Sequence, residues 1–341
     1  MTERKLLTER GFSFKRFFLQ WEWLLVLIFL LIHIINSFLS PYYLNVGTFV
    51  RTPMTFLDKS FLVLPMTLVI ILGNIDISVG STVALSSVVM ATAYNAGISM
   101  PVAMLICLAT ATFCGLFNGL ILVRFKELPA MIVTLATLTL YRGIAYIILE
   151  DQASGNFPDW FSFLGWGSVL GIPFMLIIFI ICAVAFGFLL HKTTFGRIVY
   201  GMGSNKKTCL YSGIRTDKIL LWVSILTGLM AGFTALFLTS RMGSTRPNVA
   251  QNYELEVIAM VVLGGVSTAG GKGRIGGPIL AIFIIGFLSY GLGLVNISAQ
   301  ILLIIIGTLL ITSVMVLNMR ISGKRKRSGF GSHEVGKNLT R

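Results

Sequence analysis

The chain has 341 residues, of which 55% are hydrophobic and only 12% are charged. A soluble domain carries about 25% charged residues, so this composition excludes a soluble domain and indicates an integral membrane protein. The apolar stretches are long, contain glycine and proline, and show no strand-like alternation. We therefore predict an all-α, polytopic membrane protein, because helices satisfy their own backbone hydrogen bonds in lipid.

The membrane spans follow from the apolar stretches, since a helix needs about 20 residues to cross the hydrocarbon core. The sequence predicts about ten transmembrane helices, at 22–39, 55–73, 80–97, 101–123, 129–149, 171–190, 219–240, 254–267, 275–294 and 298–318.

The net charge of +14 arises from 27 basic and 13 acidic residues. Such an excess also suits a nucleic-acid partner. However, most of the cations lie in the tails and in those loops between the predicted spans that share one side of the membrane with the N-terminus. This asymmetry is the positive-inside pattern, so we predict cytoplasmic termini and no nucleic-acid partner. The resulting segments are a cytoplasmic N-terminal tail at 1–20, a transmembrane domain at 21–319 and a basic cytoplasmic tail at 320–341.

A polar break, Gly73–Ser81, separates the second and third predicted spans. An aspartate at mid-membrane costs roughly 2.5–3.5 kcal/mol on insertion scales, so a carboxylate retained there marks a candidate functional site. We predict that five residues of the break form or brace a gate or pathway: Gly73, Asp76, Ser78, Gly80 and Ser81.

Two further polar residues lie inside predicted spans. Asn118 stands between Gly115 and Gly119, a GxxxG pair that favours close helix packing, and its amide either joins two helices or lines a polar pathway. Arg142 lies in the outer part of the fifth span, where it either extends to the interface or lines a cavity for a hydroxylated solute. Both are candidate pathway residues.

The longest predicted cytoplasmic loop covers residues 191–218. Within it, Asn205 is a suitable N-cap and Gly213 is a suitable helix stop. A helix of about two turns fits between them, and a short capped helix is suited to docking into a groove on another protein. The alternative is a basic loop whose lysines only set the topology.

A second cytoplasmic break, Leu263–Arg274, is rich in glycine and contains Lys272. A P-loop needs a glycine five residues before its Gly-Lys pair and a Ser or Thr after the lysine. Val266 and Gly273 occupy those positions, so ATP binding by this chain is excluded. We predict hinge glycines that let two helix ends approach and bend: Gly264, Gly265, Gly270 and Gly271.

The sequence contains no clustered His, Asp, Ser or Cys set that indicates catalysis. The three histidines are scattered, and the four cysteines lack CxxC spacing. We therefore predict no catalytic residue, no metal site and no cofactor bound by this chain.

Four motifs, taken together, resemble the permease subunits of bacterial ATP-binding-cassette (ABC) importers of the ribose type, which include monosaccharide and autoinducer-2 permeases. The resemblance extends over about residues 20–320. The motifs stand in the family's order: Gly73–Ser81, Thr134–Gly143, Thr194–Arg197 with Gly203–Ile214, and Val261–Gly273.

The resemblance implies a multi-pass permease of the bacterial cytoplasmic membrane, surrounded by lipid, that pairs with an identical or paralogous permease. It also implies cytoplasmic ATPase subunits that bind ATP and Mg²⁺, and a solute-binding protein outside. In this family the segment matching Gly203–Ile214 is the coupling helix, which sits in a cleft on the ATPase. The residues expected to couple to the ATPase are Gly203, Asn205, Ser212, Gly213 and Ile214.

A proton-coupled secondary carrier is the alternative function, with Asp76 as the group that titrates during transport. Intramembrane carboxylates do serve as proton relays. No second acid or histidine in the spans supports such a relay here, so we favour ATP-driven import of a small sugar or sugar-like solute.

Overall fold

The computed structural model describes residues 21–298, 300–309, 311–312 and 315, and this part of the chain is mostly helical. The predicted tails at 1–20 and 320–341, and the end of the tenth span, lie outside the described residues. Thirteen α-helices are described: α1 (Trp21–Leu39), α2 (Val46–Arg51), α3 (Leu57–Ile71), α4 (Val79–Asn95), α5 (Met100–Arg124), α6 (Ala130–Leu149), α7 (Ser162–Trp166), α8 (Phe174–Lys192), α9 (Thr194–Tyr211), α10 (Thr216–Met242), α11 (Tyr253–Leu263), α12 (Gly276–Leu294) and α13 (Gln300–Leu309).

Short 3₁₀ helices and strands complete the connections. The 3₁₀ helices span Thr52–Thr55 and Asp159–Phe161. Strand β1 (Ser154–Gly155) pairs antiparallel with β4 (Ser244–Thr245), and β2 (Ser168–Val169) pairs antiparallel with β3 (Ile172–Pro173).

Each predicted span overlaps a described helix, the tenth only over its described residues, which confirms the polytopic all-α fold. Six helices of the described part are long and apolar enough to cross a membrane, namely α1, α5, α6, α8, α10 and α12. Gly47–Thr55 and Leu57–Ile71 add a seventh if this pair, bent by 60°, counts as one span. The other three predicted spans correspond to shorter described helices, α4, α11 and α13.

Helix α3 forms the centre of the bundle. All its residues except Lys59 are buried, and it packs against α8, α10, α11 and α12. Phe61 of α3 stacks on Phe237 of α10 with ring centroids 4.9 Å apart and the planes only 2° from parallel. Asp58, in the first turn of α3, is fully buried. Its carboxylate forms an ion pair of 2.8 Å with the Arg241 guanidinium. This ion pair fixes one end of α3 to α10.

Helices α5 and α10 cross at glycines. A Cβ added to Gly115 would lie 2.3 Å from the Ser224 carbonyl oxygen, and one added to Gly228 would lie 2.3 Å from the Ala111 carbonyl oxygen. The close packing that the sequence predicts at Gly115 and Gly119 is therefore present. Small residues allow this backbone approach, which is a main source of helix association in lipid.

The Gly115→Ala variant tests this crossing. Because the new methyl group has no space, we expect a loss of roughly 1–3 kcal/mol in the free energy of unfolding. The measurement is the thermal or denaturant-induced unfolding of the purified protein in detergent.

The matched control is Gly293→Ala in α12, where nothing lies within 4 Å of the added Cβ. Alanine has the higher helix propensity, by about 1 kcal/mol, so the control is expected to be neutral or stabilising. Equal stability of the two variants would show that the α5–α10 backbone contact is not tight.

Candidate functional site

Three glycine-rich segments that are far apart in the sequence meet at one end of the bundle. We call their contact the glycine junction and define it by Gly73, Gly203, Gly270 and Gly271. A Cβ added to Gly203 would lie 1.8 Å from the Ile71 carbonyl oxygen and 2.5 Å from the Gly271 nitrogen. The Gly271 N–H donates a hydrogen bond of 2.8 Å to the same Ile71 oxygen. The junction is thus a contact between backbones, with no space for a side chain.

The glycines of the junction also supply backbone conformations that other residues rarely adopt. Gly73, Gly270 and Gly271 have φ values of 79°, 81° and 70°, in the left-handed region that favours glycine. Nearby, a Cβ on Gly264 would lie 2.2 Å from the Pro278 nitrogen. These contacts show the close approach of helix ends that the sequence predicts, whereas bending during transport remains a prediction.

Helix α9 is held to the glycine-rich loop by a tyrosine. The Tyr200 hydroxyl donates a hydrogen bond of 2.7 Å to the Gly273 carbonyl oxygen. Burial raises the pKa of Tyr200, so the phenol keeps its proton and remains a donor at neutral pH. The hydrogen bond therefore holds Gly203, one turn further along α9, against Ile71 and Gly271.

The end of α9 is the short capped helix that the sequence predicts. The backbone leaves the helical region at Asn205, whose Oδ1 accepts a hydrogen bond of 3.1 Å from the Thr208 N–H. After Tyr211, Gly213 takes a φ of 77°, and the Ile214 N–H donates to the Cys209 carbonyl oxygen at 3.1 Å, as in a Schellman motif. We call residues 205–214 the coupling segment.

The structure adds a helix that the sequence analysis does not predict, directly before this short one. The kink at Asn205, with φ −160° and ψ 96°, separates the short helix from a preceding one that begins at Thr194. Thr193 caps that preceding helix by accepting a hydrogen bond of 3.3 Å from the Gly196 N–H. The coupling segment is therefore a short helix that follows the preceding one across a kink, and Gly203 of the glycine junction lies two residues before it.

The predicted gate residues form a buried hydrogen-bond network. Asp76 Oδ1 accepts from the Ser78 N–H at 2.9 Å and from the Ser78 hydroxyl at 2.7 Å. Asn118 Nδ2 donates to the Ser78 hydroxyl at 2.8 Å, and the Tyr141 hydroxyl donates to Asn118 Oδ1 at 2.9 Å. The network joins the start of α4 to α5 and α6. Ser81 contributes only locally, through its hydroxyl to the Ser78 carbonyl oxygen.

Asn118 is 2% exposed, and both ends of its amide are occupied. Of the two alternatives that the sequence leaves open, the structure favours the interhelical hydrogen bond over a lining of the pathway. Tyr141 is the member that sequence reasoning missed. The only sequence signal for it is a phenol next to Arg142 within an apolar helix.

A second group of residues meets where α4 and α11 begin. Arg142 donates through Nη1 to the Pro247 and Val249 carbonyl oxygens at 2.6 and 2.7 Å. A Cβ on Gly80 would lie 2.6 Å from the Ala250 carbonyl oxygen and 2.5 Å from Glu254 Oε2. The Arg142 guanidinium thus binds the backbone of residues 247–249. Gly80, in the first turn of α4, allows a close contact with Ala250 and Glu254.

Glu254 is the other functional candidate that sequence reasoning missed. Its Oε2 atom is buried and has no hydrogen-bond partner among the described residues. The carboxylate interacts electrostatically with Arg142, and it lies in the first turn of α11, where the helix dipole favours a negative charge. A carboxylate directly before an apolar run was the available signal.

No group of three or more His, Cys, Asp or Glu side chains in the described part of the chain is arranged to hold a metal ion. The four cysteines, Cys107, Cys114, Cys182 and Cys209, are free. The site consists of contacts between helices, hydrogen bonds and an exposed capped helix.

Comparison with known proteins gives the family. Residues 52–314 match the family described as the permease component of the branched-chain amino acid transport system. The chain belongs to this family and is a permease subunit of an ABC importer.

Two relatives illustrate the similarity. The autoinducer 2 import system permease protein LsrD of Escherichia coli O157:H7 is 34% identical over 318 residues, which cover 91% of this chain and 95% of the relative. The ribose import permease protein RbsC of Bacillus subtilis (strain 168) is 35% identical over 295 residues, which cover 86% of this chain and 90% of the relative. No solved structure matches the chain.

The Asn118→Ala variant tests the polar network. Its loss leaves the hydroxyls of Ser78 and Tyr141 without one buried partner each, so we expect a destabilisation of about 1–3 kcal/mol. Tyr141→Phe removes only one side of the network. The double variant is expected to lose less than the sum of the two single losses, because the two residues share one hydrogen bond.

The free energies of unfolding in detergent give the measurement. Thr139→Ala on the exposed side of α6 is the control, since its hydroxyl bonds only to its own helix and a change of about 0.5 kcal/mol or less is expected. Strict additivity of Asn118→Ala and Tyr141→Phe would rule out the network.

Proposed function

We propose that this permease carries a small sugar or sugar-like solute, such as ribose, another monosaccharide or autoinducer 2, into a bacterial cell. The observation that carries the proposal is the similarity to LsrD and RbsC along most of both chains. Their names state autoinducer 2 and ribose, and both molecules are small and rich in hydroxyl groups.

The partners follow from the same proposal. The permease lies in the cytoplasmic membrane with both termini inside. It pairs with a second permease, identical or paralogous, and receives solute from an extracytoplasmic solute-binding protein. Cytoplasmic ATPase subunits bind ATP and Mg²⁺, and this chain supplies neither the nucleotide site nor the metal ligands.

Transport depends on two conformations of the helix bundle. A partner shifts such an equilibrium only through its different affinity for the two states. In our proposal the ATPase holds the coupling segment and moves with it when ATP binds or is hydrolysed. Gly203 transmits this displacement to Ile71 and Gly271, because their backbones are in contact.

The displacement then reaches the gate through the Gly73–Ser81 break. Gly73 lies within the glycine junction, and Asp76 and Ser78 lie in the network with Asn118. Gly80 rests on the residues that precede and begin α11. The break therefore contacts the coupling end at one side and the Arg142–Glu254 region at the other.

The Gly213→Val variant tests the coupling role. Gly213 has a φ of 77° and open space around it, so valine meets only the backbone cost of about 1–3 kcal/mol. That cost disturbs the end of the coupling segment. We expect solute uptake and solute-stimulated ATP hydrolysis to be lost while the protein still inserts into the membrane.

Gly97→Val is the matched control. Gly97 has a φ of 92°, also with nothing within 4 Å of an added Cβ, but it connects α4 and α5 away from the glycine junction. Both variants carry similar backbone strain, so only a role in coupling separates them. Normal uptake by Gly213→Val, or equal loss in both variants, would overturn the assignment.

Neither the comparisons nor the contacts support the proton-coupled alternative. Asp76 accepts two hydrogen bonds from Ser78 at the start of α4, an arrangement that an asparagine side chain retains in part. We expect Asp76→Asn to keep more uptake than Asp76→Ala, and uptake in vesicles to require ATP but to persist with a protonophore. Uptake that stops with the protonophore and is lost equally in both variants would favour the carrier.

A further inference from the structure

The coupling segment exposes an unusual combination of charge and apolar surface. Lys206 and Lys207 are exposed, and neither has an ion pair among the described residues. Leu210 and Tyr211 are 58% and 88% exposed. We call these four side chains the docking tip.

The fold fixes which side of the segment faces outward. Cys209 is buried, and its Sγ atom lies near Gly201 of the preceding part of α9. The helix therefore presents its other faces to the surroundings. Lys206 and Leu210 are four residues apart, as are Lys207 and Tyr211, so each cation lies beside an apolar side chain on the helix surface.

No carboxylate offsets these charges. From Ser204 through Arg215 the sequence contains three cations, Lys206, Lys207 and Arg215, and no acidic residue. The nearest acid in the sequence, Asp217, forms an ion pair with Lys126 at 2.6 Å. The charges of Lys206 and Lys207 are therefore available to a partner.

We infer that the docking tip selects an ATPase subunit whose groove is lined by carboxylates around an apolar floor. This inference rests on the proposed function, since it names the chemistry of the partner that the coupling segment holds. Leu210 and Tyr211 bind the floor, and the lysines pair with the rim. The segment is preformed by the Asn205 cap and the Gly213 turn, so little ordering entropy opposes docking.

An anionic membrane surface is the other macromolecular partner for a basic, partly apolar helix. The structure favours the protein groove. Membrane-surface helices present a long apolar face, whereas the docking tip offers two apolar side chains at the end of a helix fixed by Tyr200 and Gly203.

The test uses the ATPase that supports uptake by this permease. Its affinity for the full-length permease, held in nanodiscs of zwitterionic lipid, is measured over a range of salt concentrations. Exposed ion pairs contribute about 0.2–1 kcal/mol each. Replacing both lysines in Lys206→Gln/Lys207→Gln is therefore expected to weaken binding about 2- to 30-fold at low salt. Because added salt screens such pairs, the salt dependence should become flatter. Lys206→Glu/Lys207→Glu should weaken binding further.

Two controls separate this inference from the proposed function. Lys218→Gln removes an exposed cation outside the coupling segment and should leave both affinity and salt dependence unchanged. Leu210→Ala/Tyr211→Ala should weaken binding without changing the salt dependence.

The outcomes are distinguishable. If the lysine variants bind normally and only the apolar variant binds weakly, docking stands and the acidic groove is refuted. If neither variant weakens binding, both the inference and the coupling assignment fall. If the lysine variants lose adsorption to vesicles of anionic lipid but bind the ATPase normally, the lysines serve the membrane and the inference is refuted.

Discussion

The contact on which the proposed mechanism depends is the glycine junction. The backbones of Ile71, Gly203 and Gly271 lie so close that even a methyl group on Gly203 has no room, and a hydrogen bond from Gly271 to Ile71 fixes their register. A backbone contact of this kind transmits displacement with little loss, because protein interiors are close-packed and have low compressibility. The long side chains of the docking tip, by contrast, have many rotamers. The structure thus places a rigid contact inside the bundle and an adaptable one at its surface.

The bundle around the junction combines helices that are long and apolar enough to cross a membrane with the shorter helices α4 and α11. Helix α4 starts only after the extended residues that follow Gly73, and α11 starts after the turn at Ala250 and Asn252. Helix ends expose unpaired backbone groups, which are costly in lipid. Both helix starts have polar partners. Ser78, Asn118 and Tyr141 form a hydrogen-bond network at the start of α4. Arg142 binds two carbonyl groups in the segment that precedes α11. At these two helix starts, the irregular backbone therefore has protein partners.

Local chemistry was predictable from the sequence, and long-range contacts were not. The cap at Asn205 and the stop at Gly213 involve neighbours within five residues, so the residue types alone indicate them. The glycine pair Gly115 and Gly119 indicated close packing because their spacing places both on one helix face. The identity of the partner of Gly115, which is Gly228 of α10, is set by tertiary packing and has no local signal.

The same reasoning explains the two main differences. The run that includes Gly201 and Gly203 has low helix propensity, so the first half of α9 was missed, although packing against Ile71 and Gly271 keeps it helical. In the sequence, Glu254 is only a carboxylate at the start of the predicted span 254–267, and no local signal indicates that it is partly buried. The neighbouring charge of Arg142 makes an inner position tolerable, and that neighbour is 112 positions earlier in the chain.

The separation between the backbone contact and the docking tip has a consequence for divergence after gene duplication. Substitutions at Lys206, Lys207, Leu210 and Tyr211 alter exposed side chains and leave the contact at Gly203 unchanged. Under the proposed docking, a duplicated permease changes its ATPase partner through a few surface residues and keeps the same internal backbone contact. Two paralogous importers in one cell can in this way come to use separate ATPase subunits.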